Sequence, residues 1–426
     1  MSETNTPLIQ DELQQQAITL ACGTEHRIVG ITGQAGTGKT TIQRKVYDAF
    51  TEAGYTVAVA APTGKAAKRI QEATGLPATT LHRLLEFTHP GDPDEKTGTP
   101  LGVAVPRRNR ERRLDQAVVL VDEYSMVHEQ LNRDLLDAIP PGGLVRMFGD
   151  VNQLPPIEEG NFGKQPELSP FQKHLKMFPS VILKNIYRQG EGSGVVKNGH
   201  RILQGFMPQN TDDFKMVIGG LPDQRVLDII TEGKVDYTKL DNQIIVPMHR
   251  GSNGTRNLNE KIQQYVQGKK MHEARVMPRN KWDIAKHGSM VLCPGDKILW
   301  KKNDYQLEIF NGETGIVEDF LHERVIINFG DRTVAIPPWV EYLAADGKLK
   351  GYDPRTQMNL AYAITTHASQ GSEYANVIYV MANSSFVMQD RNNFYTAITR
   401  ARKNATVISD LKSMQSAVST QRMVLR

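Results

Sequence analysis

The stretch Gly33-Gln34-Ala35-Gly36-Thr37-Gly38-Lys39-Thr40-Thr41 constrains this chain more than any other, because it is a phosphate-binding loop placed directly after the apolar run Ile28 to Thr32. Such a loop has to leave a strand and enter a helix. Its glycines let backbone N–H groups turn inward around an anion, and the helix adds the positive end of its dipole. A helix is therefore predicted from about Thr40 to Ala53. Gly36, Thr37, Gly38, Lys39, Thr40 and Thr41 are the expected nucleotide-side positions. Lys39 is placed to reach the β- and γ-phosphates, and the Thr40 hydroxyl to ligate Mg²⁺, so ATP and Mg²⁺ are the expected ligands.

Around this loop the chain reads as an α/β protein. Apolar runs at Thr56 to Ala61, Ala117 to Val121, Leu144 to Phe148 and Val181 to Leu183 alternate with amphipathic stretches, which predicts a mainly parallel sheet covered by helices on both faces. Thr88 to Pro106, rich in Pro and Gly and followed by RRNRERR at Arg107 to Arg113, interrupts the rhythm and reads as an insertion or a solvated loop. A second alternating stretch starts near Val195, with a strand at Gln243 to Val246, a helix over Thr255 to Gln267, and strands around Tyr362 to Thr365 and Val377 to Val380. Inside it, Lys297 to Pro354 carries short β-type runs between turn residues such as Asn311-Gly312, and reads as an inserted β module.

With 426 residues, 39% hydrophobic and 23% charged, there is material for two or three cores. The net charge of +4 permits a polyanionic ligand but confines it to a local groove. Cys22 and Cys293 match no metal or redox spacing and are expected as buried apolar residues in a reducing compartment. No run approaches the roughly 18 apolar residues that span a bilayer, so a soluble cytoplasmic protein without membrane contact is expected.

The strand at Val118 to Val121 ends in Asp122-Glu123. At a strand tip beside a phosphate loop, Asp122 is placed to coordinate Mg²⁺ and Glu123 to polarise the attacking water. Alone, such a pair is as often a solvated strand end. The following strand leads into FGDVNQLPP, whose Gln153 is placed to sense the γ-phosphate and relay its presence.

Taken in order, GQAGTGKTT, APTGKAAKRI at Ala61 to Ile70, VDEYSM at Val121 to Met126, FGDVNQLPPI at Phe148 to Ile157, AYAITTHASQGSEY at Ala361 to Tyr374 and YTAITRARK at Tyr395 to Lys403 resemble the motifs of superfamily 1 helicases. TTLHRLL at Thr79 to Leu85, PMHRGSNGTRNLN at Pro247 to Asn259 and FNGETGIV at Phe310 to Val317 bring the likeness closest to the RecD-like branch, over about residues 8 to 410.

The resemblance implies two RecA-like P-loop NTPase lobes, with a small pin-like insertion in the first and a small SH3-like β-barrel insertion in the second. The corresponding bounds are 1–185 for the first lobe with 88–113 inserted, 186–300 and 356–426 for the second, and 301–355 for the β module. It also implies that Gln14 reads adenine, that Gly371 and Glu373 lie on the nucleotide side, and that Arg188 and Arg400 approach the γ-phosphate from the second lobe. As a residue alone, Gln14 fits an exposed polar helix face as well.

The strand contacts implied are Pro62, Thr63, Lys65, Thr80 and His82 in the first lobe and His249, Arg250, Thr366 and His367 in the second. Hydroxyls and cations hold phosphates without reading sequence, while imidazole or proline rings pack on bases. By themselves, His82 and His367 fit hydrogen-bonded interior histidines equally. Two positions depart from the family pattern: Ala368 stands where a lysine commonly precedes SQG, and the pin-like insertion has no bulky aromatic at its tip.

The expected activity is ATP-driven unwinding by a monomer that moves 5′ to 3′ on single-stranded DNA. Its expected partners are single strands, duplex junctions, and single-strand-binding, replication or recombination proteins. Motif content leaves open a translocase that displaces proteins or acts on RNA, and an ATP-binding subunit of a recombination or repair complex.

Overall fold

The computed structural model describes residues 11–88, 104–156, 168–185, 187, 193–279, 290–304, 306–343 and 348–421. Strands β1 (Ile28–Gly33), β2 (Val57–Ala61), β3 (Ala78–Thr80), β4 (Val118–Val121), β5 (Leu144–Gly149) and β6 (Ser180–Leu183) form one sheet in the order β3-β2-β4-β5-β1-β6. Every pairing in it is parallel. All residues of β1, β4 and β5 are buried, as strands covered on both faces must be.

One face is covered by α1 (Glu12–Cys22), α2 (Lys39–Glu52) and α3 (Gly64–Thr74). Ile42, Val46 and Phe50 recur every four residues on α2 and enter this core. The other face takes the short α4 (Leu81–Leu84), α5 (Glu129–Ala138) and α6 (Pro170–Met177). Arg146, from β5, is fully buried and donates to the carbonyls of Ala21 (2.6 Å) and Gly23 (2.6 Å) at the end of α1. It closes the carbonyl end of the helix that carries Gln14.

The second half opens with α7 (Gly194–Leu203), β7 (Phe214–Ile218), α8 (Pro222–Glu232), β8 (Asn242–Val246) and α9 (Thr255–Gln267). Two short antiparallel pairs follow the chain order around the inserted sheet: β9 (Arg275–Met277) with β10 (Met290–Leu292), and β15 (Val340–Leu343) with β16 (Leu349–Tyr352). The inserted sheet itself is antiparallel, in the order β14-β13-β12-β11-β17. It comprises β11 (Lys297–Trp300), β12 (Thr314–Leu321), β13 (Arg324–Asn328), β14 (Thr333–Ile336) and β17 (Met358–Leu360), around a core that includes the buried Trp300, Val317 and Ile327. This sheet reaches beyond 301–355 at both ends. Its entry and exit strands pair with each other, Ile298 opposite Leu360, so the chain enters and leaves through neighbouring strands.

The chain then completes the second parallel sheet, β18-β8-β19-β20-β7, with β18 (Ala363–Thr365), β19 (Tyr374–Met381), α10 (Arg391–Ile398), β20 (Ala401–Ser409) and α11 (Leu411–Ser419).

Most of the segment expected to form the pin-like insertion, 89–103, lies outside the described residues. At its base Phe87 bridges Pro106. The arginine run that follows is internally engaged: Arg108 pairs with Glu86 at 2.8 Å and Asp115 at 2.9 Å, Arg110 with Asp137 at 2.9 Å, and Arg113 donates to the Ile139 carbonyl at 2.9 Å. These contacts staple the run to the carbonyl end of α5. Both cysteines are free thiols, Cys293 buried and Cys22 half-buried, and no described helix is long and apolar enough to cross a membrane.

Candidate nucleotide site

The phosphate loop bridges β1 and α2 in left-handed turns at Gly36 (φ 84°) and Gly38 (φ 88°), where a side chain at position 38 would strike the Gln14 amide. The Lys39 ammonium donates to the carbonyls of Gly33 (2.6 Å) and Gln34 (2.9 Å), and the Thr37 hydroxyl to Gln34 O (2.9 Å). The loop's own carbonyls thus hold the lysine that a phosphate would take over. Gln14 is buried and its amide donates to Thr37 O at 3.0 Å, tying α1 to the loop. The backbone N–H of Tyr187 donates to Gly36 O at 2.8 Å and its hydroxyl to Asp11 at 2.5 Å. Arg188, its neighbour, lies outside the described residues.

A cleft of about 410 Å³ opens over this loop. Gly36, Gly38, Lys39, Thr40 and Thr41 form its floor, and Gln14, Asp122, Glu123, Gln153, Glu373 and Arg400 its walls. Thr37 lies beneath the loop, almost fully buried. Asp122 accepts the Glu123 backbone N–H at 2.7 Å, and Glu123 adopts a left-handed backbone (φ 49°) that is uncommon for a residue with a side chain.

Burial, reinforced by the adjoining Glu123, pushes the Asp122 carboxyl up to about 6, against the pull of Lys39 and Arg69. The described residues hold no cluster of three or more His, Cys, Asp or Glu side chains for a metal. The Thr40 hydroxyl and Asp122 carboxylate together fit a hard ion that takes its remaining oxygens from phosphate and water.

The opposite wall belongs to the second sheet. Arg400 is 2% exposed and braced by the carbonyls of Thr396 (3.1 Å) and Ser372 (3.3 Å). Four hydrogen bonds join the segment around Gln153 to that half: Tyr395 OH to Asp150 Oδ2 (2.7 Å), Asn392 Nδ2 to Asn152 O (2.9 Å), Leu154 N to Thr396 Oγ1 (3.0 Å) and Gln370 Nε2 to Leu154 O (2.7 Å). Gln153 Oε1 is buried in the cleft wall without a hydrogen-bond partner among the described residues. Gly371, left-handed at φ 71°, faces Thr63 and Ala66 rather than lining the cleft.

Sequence reasoning missed Arg69, which ion-pairs with Glu373 and approaches Glu123 at 3.8 Å. The available signal was its place within APTGKAAKRI, one helical turn after Lys65. It also missed Tyr395, Thr396 and Gln370, which lie within the quoted motifs YTAITRARK and AYAITTHASQGSEY but which residue type alone does not distinguish from core polar residues.

The nine residues expected to touch a strand differ in exposure. His249 and Arg250 are exposed, with His249 Nδ1 2.9 Å from Thr255 Oγ1. Pro62, Thr63 and Lys65 are half-buried where β2 meets α3; the Thr63 hydroxyl caps α3, and the Lys65 ammonium lies 3.5 Å from Gly312 O and 5.4 Å from the Tyr374 ring centre. His82 packs on Phe87, and burial lowers its pKa.

Thr80 and Thr366 require correction. Thr80 is 3% exposed and its hydroxyl accepts the Arg83 N–H as a helix cap; Thr366 is fully buried with its hydroxyl 2.7 Å from Asn393 Oδ1. Both hydroxyls are spent on the fold, because a buried polar group needs an internal partner. His367 is half-buried, and burial, with His249 beside it, pushes its pKa down to about 4, so it is a neutral ring at working pH.

Two parallel α/β sheets walling one nucleotide cleft define the class: a P-loop protein with paired RecA-like lobes. Residues 10–214 match the AAA domain family and residues 360–408 the UvrD-like helicase C-terminal domain. The chain is 31% identical to the ATP-dependent RecD2 DNA helicase of Deinococcus radiodurans over 96% of its own length and 50% of that protein's. It is 28% identical to the RecBCD enzyme subunit RecD of Mycolicibacterium smegmatis, over 92% of this chain and 70% of that one. Among solved structures, Bacteroides Pif1 bound to ssDNA shares the fold, with TM-score 0.59 at 22% identity, covering 95% of this chain and 92% of that one. The two curated relatives are thus RecD-like, the branch of superfamily 1 that the motifs resemble. The chain spans half the length of the Deinococcus relative.

Proposed function

We propose that this protein is an ATP-driven DNA helicase that moves 5′ to 3′ along single-stranded DNA and opens duplex junctions. The observation that carries this reading is the wall around Gln153, joined by four hydrogen bonds to the same half that presents Arg400 to the cleft. A change at the γ-phosphate is therefore mechanically connected to the second lobe.

In this reading Lys39 leaves its loop carbonyls for the β- and γ-phosphates, Glu123 orients the attacking water, and Gln153 reports phosphate occupancy. Arg188 and Arg400 neutralise charge developing on the transferred phosphoryl group, an effect worth roughly 10³ to 10⁵ in rate for such arginines. Gln14 holds the adenine edge, and Thr37 and Thr41 shape the nucleotide side, whereas Gly371 turns toward Thr63 and Ala66 and takes no part there. Thr40 and Asp122 would hold Mg²⁺, which supplies charge neutralisation for the phosphates.

Pro62, Thr63, Lys65, His82, His249, Arg250 and His367 line the strand path. Residues 88–113 serve as the pin, and the antiparallel sheet with its buried Trp300 core as an SH3-like module inserted between the two parts of the second lobe. The lobes run over 1–185, and over 186–296 with 361–426, the strands Lys297–Trp300 and Met358–Leu360 belonging to the inserted module. The direction rests on the resemblance to the RecD-like branch; Pif1 bound to ssDNA supports a single strand as partner, and a cytoplasmic monomer that works with single-strand-binding, replication or recombination proteins completes the reading.

The test is an unwinding assay on duplexes with a 5′ or a 3′ tail of DNA or RNA, beside Lys39→Ala. Opening of 5′-tailed DNA by the wild type alone is expected. Opening only from a 3′ tail would overturn the direction, preference for RNA the substrate, and undiminished hydrolysis by Lys39→Ala the site.

A further inference from the structure

We propose that Arg69 is a positioning residue for strand-stimulated ATP hydrolysis, joining Glu373 of the second lobe to Glu123 of the first and so passing the state of the cleft to the carboxylate that orients water. This inference rests on the role given to Glu123 above. Arg69 lies on α3, and its guanidinium pairs with Glu373 Oε1 while the other nitrogen stands 3.8 Å from Glu123 Oε1. Both carboxylates are largely enclosed, with side chains 12% exposed for Glu123 and 9% for Glu373. A guanidinium is a rigid fork with five donors, so one group can serve two carboxylates at once, and movement of either changes its hold on the other.

The helix that carries Arg69 is also the part of the first lobe on which the second lobe's insertion bears. Phe310 sits over Gly64, where any side chain would collide with its ring. The Lys65 ammonium meets Gly312 O at 3.5 Å, and Lys68 pairs with Asp331 at 2.5 Å. Positions 64, 65, 68 and 69 form one face of α3, so a shift of the second lobe must reach this helix or break these contacts. At the receiving end, Glu123 follows the buried β4 and has an unusual left-handed backbone, which leaves its carboxylate to be aimed by its neighbours. Arg69 holds Glu373 closely and Glu123 loosely. Displacement of Glu373 when a strand enters would free the fork for Glu123.

The test measures ATP hydrolysis with and without single-stranded DNA for the wild type, Arg69→Ala, Arg69→Lys, Glu373→Gln and the double variant Arg69→Ala/Glu373→Gln. Arg69→Ala and Glu373→Gln are each expected to lower the stimulation by DNA about tenfold, within the range of typical coupling energies, with a much smaller change in KM for ATP in Arg69→Ala. Arg69→Lys, which keeps the charge but lacks the fork, should recover part of it. The double variant should be no worse than either single one, because both act through one pair.

Additive losses, or a raised KM for ATP with unchanged stimulation, would overturn the proposal and make Arg69 a direct nucleotide contact. Thermal melts monitor folding, and if Arg69→Ala melts early the Arg69→Lys and Glu373→Gln arms decide alone. A wild type whose hydrolysis does not respond to DNA overturns the helicase reading itself, whereas a responsive wild type with unaffected variants overturns only the role of Arg69.

Discussion

Replacing Tyr395 by Phe should loosen the two lobes by a predictable amount. Its hydroxyl donates to Asp150 Oδ2 at 2.7 Å; Tyr395 is fully buried and Asp150 is 1% exposed. That carboxylate also accepts the Asn152 backbone N–H, at 3.0 Å. A hydrogen bond to a buried charged group contributes roughly 1.5 to 3 kcal/mol, so Tyr395→Phe should cost about 2 kcal/mol near neutral pH. For lobes of this size that lowers the melting temperature by roughly 4 to 8 °C.

The effect should depend on pH in one direction. Burial pushes the Asp150 carboxyl above the usual range, and Lys39 and the Tyr395 hydroxyl pull it back. A carboxyl that holds its proton more tightly when folded loses relative stability as pH rises from its unfolded value through its folded one. Removing the hydroxyl raises the folded value further, so the penalty should grow as pH rises through the folded value and shrink as the carboxyl takes up its proton. Thermal melts of Tyr395→Phe, Asp150→Asn and the double variant form a cycle whose coupling should be about 1 kcal/mol or more. A penalty below about 0.5 kcal/mol at pH 7.5, or strictly additive variants, would refute the account.

Gly64→Ala places a methyl group where the Phe310 ring sits, so the inserted sheet should loosen by roughly 1 to 3 kcal/mol despite the gain in helix propensity. Faster hydrogen exchange across 310–317 would show it, and slower exchange would refute the contact. His367, held at a folded pKa of about 4, resists a proton that the unfolded chain accepts near 6.5. Stability should therefore fall as pH drops from 6.5 toward 4, by at most about 3 kcal/mol from this residue. Denaturant melts of His367→Asn across that window should show a shallower fall, and an unchanged slope would contradict the burial assigned to the ring.

Much of the first lobe was readable because its strands are buried on both faces and so appear as unbroken apolar runs, as at Val118 to Val121. The helix Thr255–Gln267 was equally plain, with Leu258 and Ile262 on its buried side. Strand β7 escaped because it is an edge strand with mostly half-exposed or exposed residues, and β20 because its first half, Ala401 to Asn404, is largely charged and exposed. The arginine run at 107–113 shows the converse: a basic cluster legible in sequence proved to be tied to nearby carboxylates and carbonyls.

The sequence by itself determined the phosphate loop, the acidic strand tip and the alternation of strand and helix, since each depends on neighbouring residues and a local backbone period. It also led to Gln14 and Arg400, through motifs whose order carries information. Only the tertiary structure decided which groups meet. Arg69 and Glu373 stand 304 positions apart, and Asp150 and Tyr395 245 apart. Their contact depends on how two separately built sheets close on one cleft. Packing within each lobe decided that Thr80 and Thr366 turn inward, because whether a hydroxyl serves a ligand or the fold depends on which polar groups remain unpaired around it.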